Sequence, residues 1–303
     1  MKLTTSFLFI VHLRRRGYAL PVLRLNSFKA SSNLSSHQFS TNRETAQLHP
    51  LSRQKSVFDD VTEKVSPETI HDVNGIKCRE VKIFIEKVGP VIILEATADS
   101  QNELVDIALA TEDEIASMGK ANNLQLNSGD PYGAVLWPAA SAVANHLLTS
   151  IRSETLKELT VVELGTGTGL VSIAAALGGV HKVIATDYEK IPLELLEYAS
   201  TNIDQSSGDL DRAKERKRKL SNIETTLFDI CNHDVPLPSA DIVVAADIMY
   251  ETKTGIAMAY RVVEALRAGS RVIVGCSPGR YCLLSRFFIF FSNLQCTLRI
   301  SSQ

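Results

Sequence analysis

With 303 residues, 45% of them apolar, the chain is long enough for one domain of ordinary size plus extensions, with a substantial core. A formal net charge of −2 hides an asymmetry: residues 1–43 carry seven basic side chains and no acid, leaving 25 basic against 34 acidic residues in the rest. Five cysteines, none in a Cys-x-x-Cys pair or close to a histidine pair at ligand spacing, argue against a zinc site and a disulfide framework.

The leader, residues 1–43, is rich in Ser and Asn, and an apolar patch from Phe7 to Leu13 stands directly ahead of Arg14, Arg15 and Arg16. A secretory signal would place its charge before the apolar run, and this run is too short to span a bilayer. The composition is that of an organelle transit peptide. It is either mitochondrial, with His37–Asn42 (HQFSTN) as a cleavage context, or plastid; a disordered cytosolic tail is the remaining reading.

Residues 56–128 read as an N-terminal extension. Val81–Ile85 and Val91–Glu95 are β-like pieces broken by Gly89-Pro90, which predicts a hairpin laid against the main sheet. The acidic stretch that follows has helical spacing and predicts a solvated helix.

The main domain is expected over 129–280. Trp137, the only tryptophan, precedes Pro138, which suits the first position of a helix whose apolar face is Ala142, Val143, Leu147 and Leu148. The indole is either core or, lying upstream of a glycine turn, a surface on which a ligand stacks. Between Leu159 and Gly179 an apolar run ends in Glu163, passes Gly165, Thr166, Gly167 and Gly169, and opens into an Ala/Leu-rich segment. This is a strand, a tight turn and a helix. Glycines there permit positive φ and close approach of a ligand to bare backbone, while the helix start offers unpaired N–H groups. A dinucleotide fingerprint needs a glycine at position 170, where the chain has Leu170, so a pyrophosphate site is disfavoured. Glu163 suits a ligand with positive charge near the turn.

A second run, HKVIATD, ends at Asp187, 24 positions after Glu163, where the second strand of a doubly wound sheet ends. Its carboxylate either accepts both hydroxyls of a ribose or caps the next helix. A helix led by Pro192 follows, then a basic cluster from Lys214 to Lys219, which is a solvated loop or helix end or a guide for an acidic partner. It lacks interleaved aromatic residues, so nucleic-acid binding is weakly supported. Ile223–Ile230 predicts the third strand, with Phe228 and Asp229 at its end. The ring packs on a base whose amino group the carboxylate binds, or the pair forms an edge turn. Ile242–Ala246 predicts a buried strand that delivers Asp247, Tyr250 and Glu251 where open α/β sheets bind ligands. A helix closed by Gly269 and a fifth strand in SRVIVGCSPGR continue the pattern. Residues 281–303 break it: Phe287–Phe291 has no polar face and reads as either a buried strand or exposed aggregation-prone surface, and a truncated or alternatively spliced carboxyl end, with an open sheet edge, is expected.

From about Asp130 to Arg280 the chain resembles the seven-β-strand methyltransferases, in particular the family-16 group, whose characterised members are mostly protein-lysine methyltransferases. The matching text is LWPAA (Leu136–Ala140), VVELGTGTGL (Val161–Leu170), ATD ending at Asp187 and ADIMY (Ala246–Tyr250). DPY ahead of the tryptophan and VIVGCSPGR are similar to the mitochondrial branch that methylates electron-transfer flavoprotein β subunit. The resemblance implies a Rossmann-like α/β fold, S-adenosylmethionine as cofactor and a protein lysine as methyl acceptor; no membrane partner is expected. It implies a cofactor site lined by Trp137, Glu163, Gly165, Thr166, Gly167, Asp187 and Ala246, and it sets Phe228 where many relatives carry an adenine-stacking Trp. Asp247 and Tyr250 match an Asp-x-x-Tyr motif that shapes the lysine channel, Asp247 orienting the amine and Tyr250 forming the wall. A small-molecule or RNA methyltransferase and a non-catalytic binding protein are the alternatives.

Overall fold

The computed structural model describes residues 69–118, 131–205 and 210–277, and the backbone of residues 7–13 and 24–29. The readings of His37–Asn42 and Phe287–Phe291 lie outside the described residues. In chain order, β1 (Phe7–Leu13) and β2 (Arg24–Lys29) form a hairpin. Three strands follow, β3 (Ile70–Val73), β4 (Ile76–Ile85) and β5 (Gly89–Ala96), then α1 (Ala98–Met118). A 3-10 turn (Pro131–Ala134) leads into α2 (Pro138–Ser150) and the short α3 (Ser153–Leu156). Next come β6 (Thr160–Leu164), α4 (Leu170–Leu177), β7 (Lys182–Asp187), α5 (Lys190–Asn202) and α6 (Leu210–Leu220). The described chain closes with β8 (Ile223–Leu227), β9 (Ile242–Ala246), α7 (Thr252–Ala268) and β10 (Arg271–Cys276).

Strands β6 to β10 are mutually parallel and ordered β10-β9-β6-β7-β8, the doubly wound α/β arrangement that the alternation of elements predicts. The sequences of β6, β7, β9 and β10 are largely apolar runs because both faces are covered, whereas β8 (IETTL) is mostly polar and more exposed. One core joins Val161, Val183 and Val244 to Val143 and Leu147 of α2, Ile173 of α4 and Leu195 of α5. The other joins Val162, Val243 and Val272 to Met258 and Val262 of α7. Helix α4 is apolar apart from Ser172 and wholly buried, as a helix enclosed on every side should be. The strand order reverses between β6 and β9, which places the ligand crevice at their carboxyl ends.

Several expectations are altered by packing. The predicted hairpin forms, but with β3 it is a separate three-stranded antiparallel sheet, and it covers α2, α4 and α5 rather than the main sheet. The third strand stops at Leu227, because the Asp229 carboxylate accepts the Cys231 N–H at 2.7 Å and turns the chain. The basic cluster is the helix α6, and its Arg216 is buried, donating to the carbonyls of Val88 (2.7 Å) and Pro90 (2.9 Å) in the β4–β5 turn. The edge beyond β10 is occupied: β1, from the leader, pairs with it antiparallel, Phe9 opposite Cys276 and Leu13 opposite Val272. An apolar β-prone run satisfies the N–H and C=O groups that an unpaired edge strand exposes.

Candidate active site

The turn after β6 is drawn tight by its own sequence. Gly165, Gly167 and Gly169 all have positive φ. Gly169, at +78°, is the residue before α4, and a Cβ there would meet Leu196 Cδ1 at 2.5 Å. Gly169→Ala is therefore expected to lower stability by about 3 kcal/mol, combining left-handed strain with overpacking, read as a shift of the urea midpoint. An unchanged midpoint would show that Leu196 yields freely.

Glu163 lies beneath this turn, 2% exposed, and its carboxylate is engaged with protein groups. Oε2 accepts from Thr166 Oγ1 (2.9 Å), from the Ser172 backbone N–H (3.0 Å) and from Ser172 Oγ (2.5 Å). The Ser172 N–H is one of the unpaired donors in the first turn of α4, so the acid caps that helix from the preceding strand. Burial pushes the Glu163 carboxyl up to about 7, although hydrogen bonds from Ser172 and Thr166 oppose the rise.

Asp187, at the end of β7, is also buried. Its Oδ2 accepts the Gly167 N–H at 3.1 Å and its Oδ1 the Glu189 N–H at 3.2 Å. It thus joins the glycine turn to the start of α5. Phe228 follows β8, buried, with the Arg261 guanidinium carbon 4.8 Å from its ring centroid; Asp229 is exposed. Arg261 is 1% exposed and donates to the carbonyls of Ile230 (3.0 Å), Asn232 (2.5 Å) and Val235 (3.0 Å), so the loop carrying Asp229 is moulded around it. Sequence reading missed Arg261. The available signal was a charge on the apolar stripe of α7, between Ala257 and Ala265.

At the end of β9, Ala246 is half-buried and Asp247 is only 4% exposed, with φ +56°, a region that Asp tolerates better than most residues. Its Oδ2 accepts the Ala139 N–H at 3.0 Å and also the Ser277 hydroxyl; its Oδ1 accepts the Ser277 N–H at 2.6 Å. The carboxylate therefore caps α2 and ties it to the end of β10, a use not anticipated from sequence. Trp137 is the residue before α2, half-buried, and its indole N–H donates to the Tyr132 carbonyl at 2.9 Å. Tyr250 is 41% exposed. Through the Asp247–Ala139 bond, the loop of Tyr250 and the segment of Trp137 meet at one end of the sheet.

Three strand ends, a glycine turn and two capping carboxylates converge at the switch point, where open α/β sheets bind nucleotide-type ligands. The glycine cradle and the carboxylate at the end of β7 fit S-adenosylmethionine. The chain belongs to the lysine methyltransferase family, whose profile matches residues 120–294, more than half of it. It is 36% identical over 124 residues to bovine (Bos taurus) protein-lysine methyltransferase METTL21E, covering 40% of this chain and 39% of that protein. It is 36% identical over 62 residues to mouse (Mus musculus) electron transfer flavoprotein beta subunit lysine methyltransferase, covering 20% of this chain and 24% of that protein. Against the crystal structure of TrmN from Thermus thermophilus, identity is 21% and the TM-score 0.36, covering 53% of this chain and 45% of the other. The chain thus spans well under half the length of the two lysine methyltransferases named here.

Proposed function

We infer that this protein transfers a methyl group to the ε-amine of a lysine in a protein substrate. When bound, S-adenosylmethionine supplies an electrophilic methyl on a sulfonium sulfur. The glycine turn and Asp187 hold the nucleoside end, with Glu163 fixing the turn from below. Trp137 and Tyr250 flank the approach to the strand ends, and their largely apolar rings favour the neutral amine over the ammonium. Transfer forms an N–C bond and breaks the C–S bond, whose electron pair returns to sulfur; the proton displaced from nitrogen leaves to solvent. No acid is needed at the leaving group, so positioning carries the rate. Asp247 contributes by holding the Trp137 and Tyr250 segments in register. The basic, acid-free leader, together with the mouse relative's named substrate, supports a mitochondrial destination and an electron-transfer flavoprotein-like target.

The observation that carries this reading is the meeting of Asp187, the glycine turn, Trp137 and the Asp247–Tyr250 segment at one end of the sheet. Calorimetric titration of the full chain with S-adenosylhomocysteine is expected to show binding that Gly167→Arg abolishes. Radiolabelled methyl from S-adenosylmethionine should then appear on lysine in a mitochondrial protein extract. Binding without transfer to any protein would favour a non-catalytic binding protein instead.

A further inference from the structure

We propose that Gln101 and Glu95, in the N-terminal extension, are positioning residues for the cofactor site, because they hold the Pro131–Trp137 segment as a roof over the glycine turn. This rests on the functional reading above.

The roof lies directly on the turn: a Cβ built on Gly167 would come within 3.5 Å of the Gly133 carbonyl oxygen. On its other side Gly133 is pressed against α5, where an added Cβ would sit 2.5 Å from Pro192 Cγ. Trp137 is bound into the same unit through the Tyr132 carbonyl. Two side chains from the extension grip this segment at its two ends. Gln101 Nε2 donates to the Pro131 carbonyl at 2.5 Å, and Glu95 Oε1 accepts the Leu136 N–H at 3.0 Å.

Both side chains stand on fixed ground. The other oxygen of Glu95 pairs with Arg79 of β4 at 3.0 Å. The first turn of α1 is pinned to β4 from both directions: Thr97 N–H donates to the Lys77 carbonyl (2.8 Å), and Ser100 Oγ accepts the Lys77 N–H (3.0 Å). A carbonyl can only accept, so the Pro131 contact dictates which way the Gln101 amide faces. Among the described residues, that orientation gives Gln101 Oε1 no hydrogen-bond partner.

Gln101→Glu keeps the shape but replaces the donor with an acceptor facing a carbonyl, and Glu95→Ala removes the acceptor for Leu136. Each is expected to weaken S-adenosylhomocysteine binding of the full chain about tenfold and to raise KM for S-adenosylmethionine with kcat within twofold. Each should also shift the emission of Trp137, the only tryptophan, before any ligand is added. Glu95→Gln, which keeps an acceptor oxygen, should restore both readouts. Wild type and variants that bind S-adenosylhomocysteine alike, with the same emission, would overturn the inference alone. A wild-type protein that binds no S-adenosylhomocysteine would overturn the functional reading and this inference with it.

Discussion

Asp247→Ala is expected to abolish methyl transfer, to weaken S-adenosylhomocysteine binding about tenfold and to move the emission of Trp137. The substitution removes the acceptor for Ala139 N–H, for Ser277 N–H and for the Ser277 hydroxyl in one step. Buried donors left without partners cost about 1–3 kcal/mol each, and the new alanine must still adopt φ +56°. A stability loss of about 3 kcal/mol should therefore accompany the loss of activity. Ala139 is two residues from Trp137, so the start of α2 moves with the indole attached. Asp247→Asn keeps one acceptor oxygen and should fall between alanine and wild type in all measurements. Loss of transfer with unchanged emission and unchanged binding would return Asp247 to direct contact with the substrate amine.

Stability should fall as pH rises from 4.5 to 7, and Glu163→Gln should flatten that fall. In the folded protein the Glu163 carboxyl titrates at about 7 against an ordinary 4.5, because burial penalises its charged form. Between these values the folded state holds a proton that the unfolded state has released, so each rise in pH favours unfolding. The full difference is up to about 3 kcal/mol, complete above pH 7 and absent below 4.5. Glutamine keeps an acceptor for the Ser172 N–H without a charge to desolvate. The variant should match wild type near pH 5 and be the more stable at pH 8, measured by urea denaturation across that range. Parallel pH curves for the two proteins would show that Glu163 remains ionised where it lies.

The glycine turn illustrates how much of the site was legible. Its strand–turn–helix pattern, Asp187 at the next strand end and Asp247–Tyr250 at another can all be read from local sequence, because period, glycine spacing and strand ends are short-range properties. The same is true of Pro138 at the start of α2 and Gly269 at the end of α7. What those side chains hold is a different matter. Asp247 and Ala139 are 108 positions apart, and Gln101 and Pro131 are 30 apart. No local periodicity encodes such pairs.

Alternating apolar runs and helical stripes determined that this chain is a doubly wound α/β protein, and the glycines and carboxylates pointed to its candidate ligand site. Tertiary structure alone decided that the extension packs on helices and holds the Pro131–Trp137 segment through Gln101 and Glu95, that Arg216 and Arg261 are buried, and that β1 closes the edge of β10. Each of these outcomes satisfies a buried charge or an unpaired backbone group with a partner distant in sequence. Only the folded arrangement brings such partners within hydrogen-bonding range.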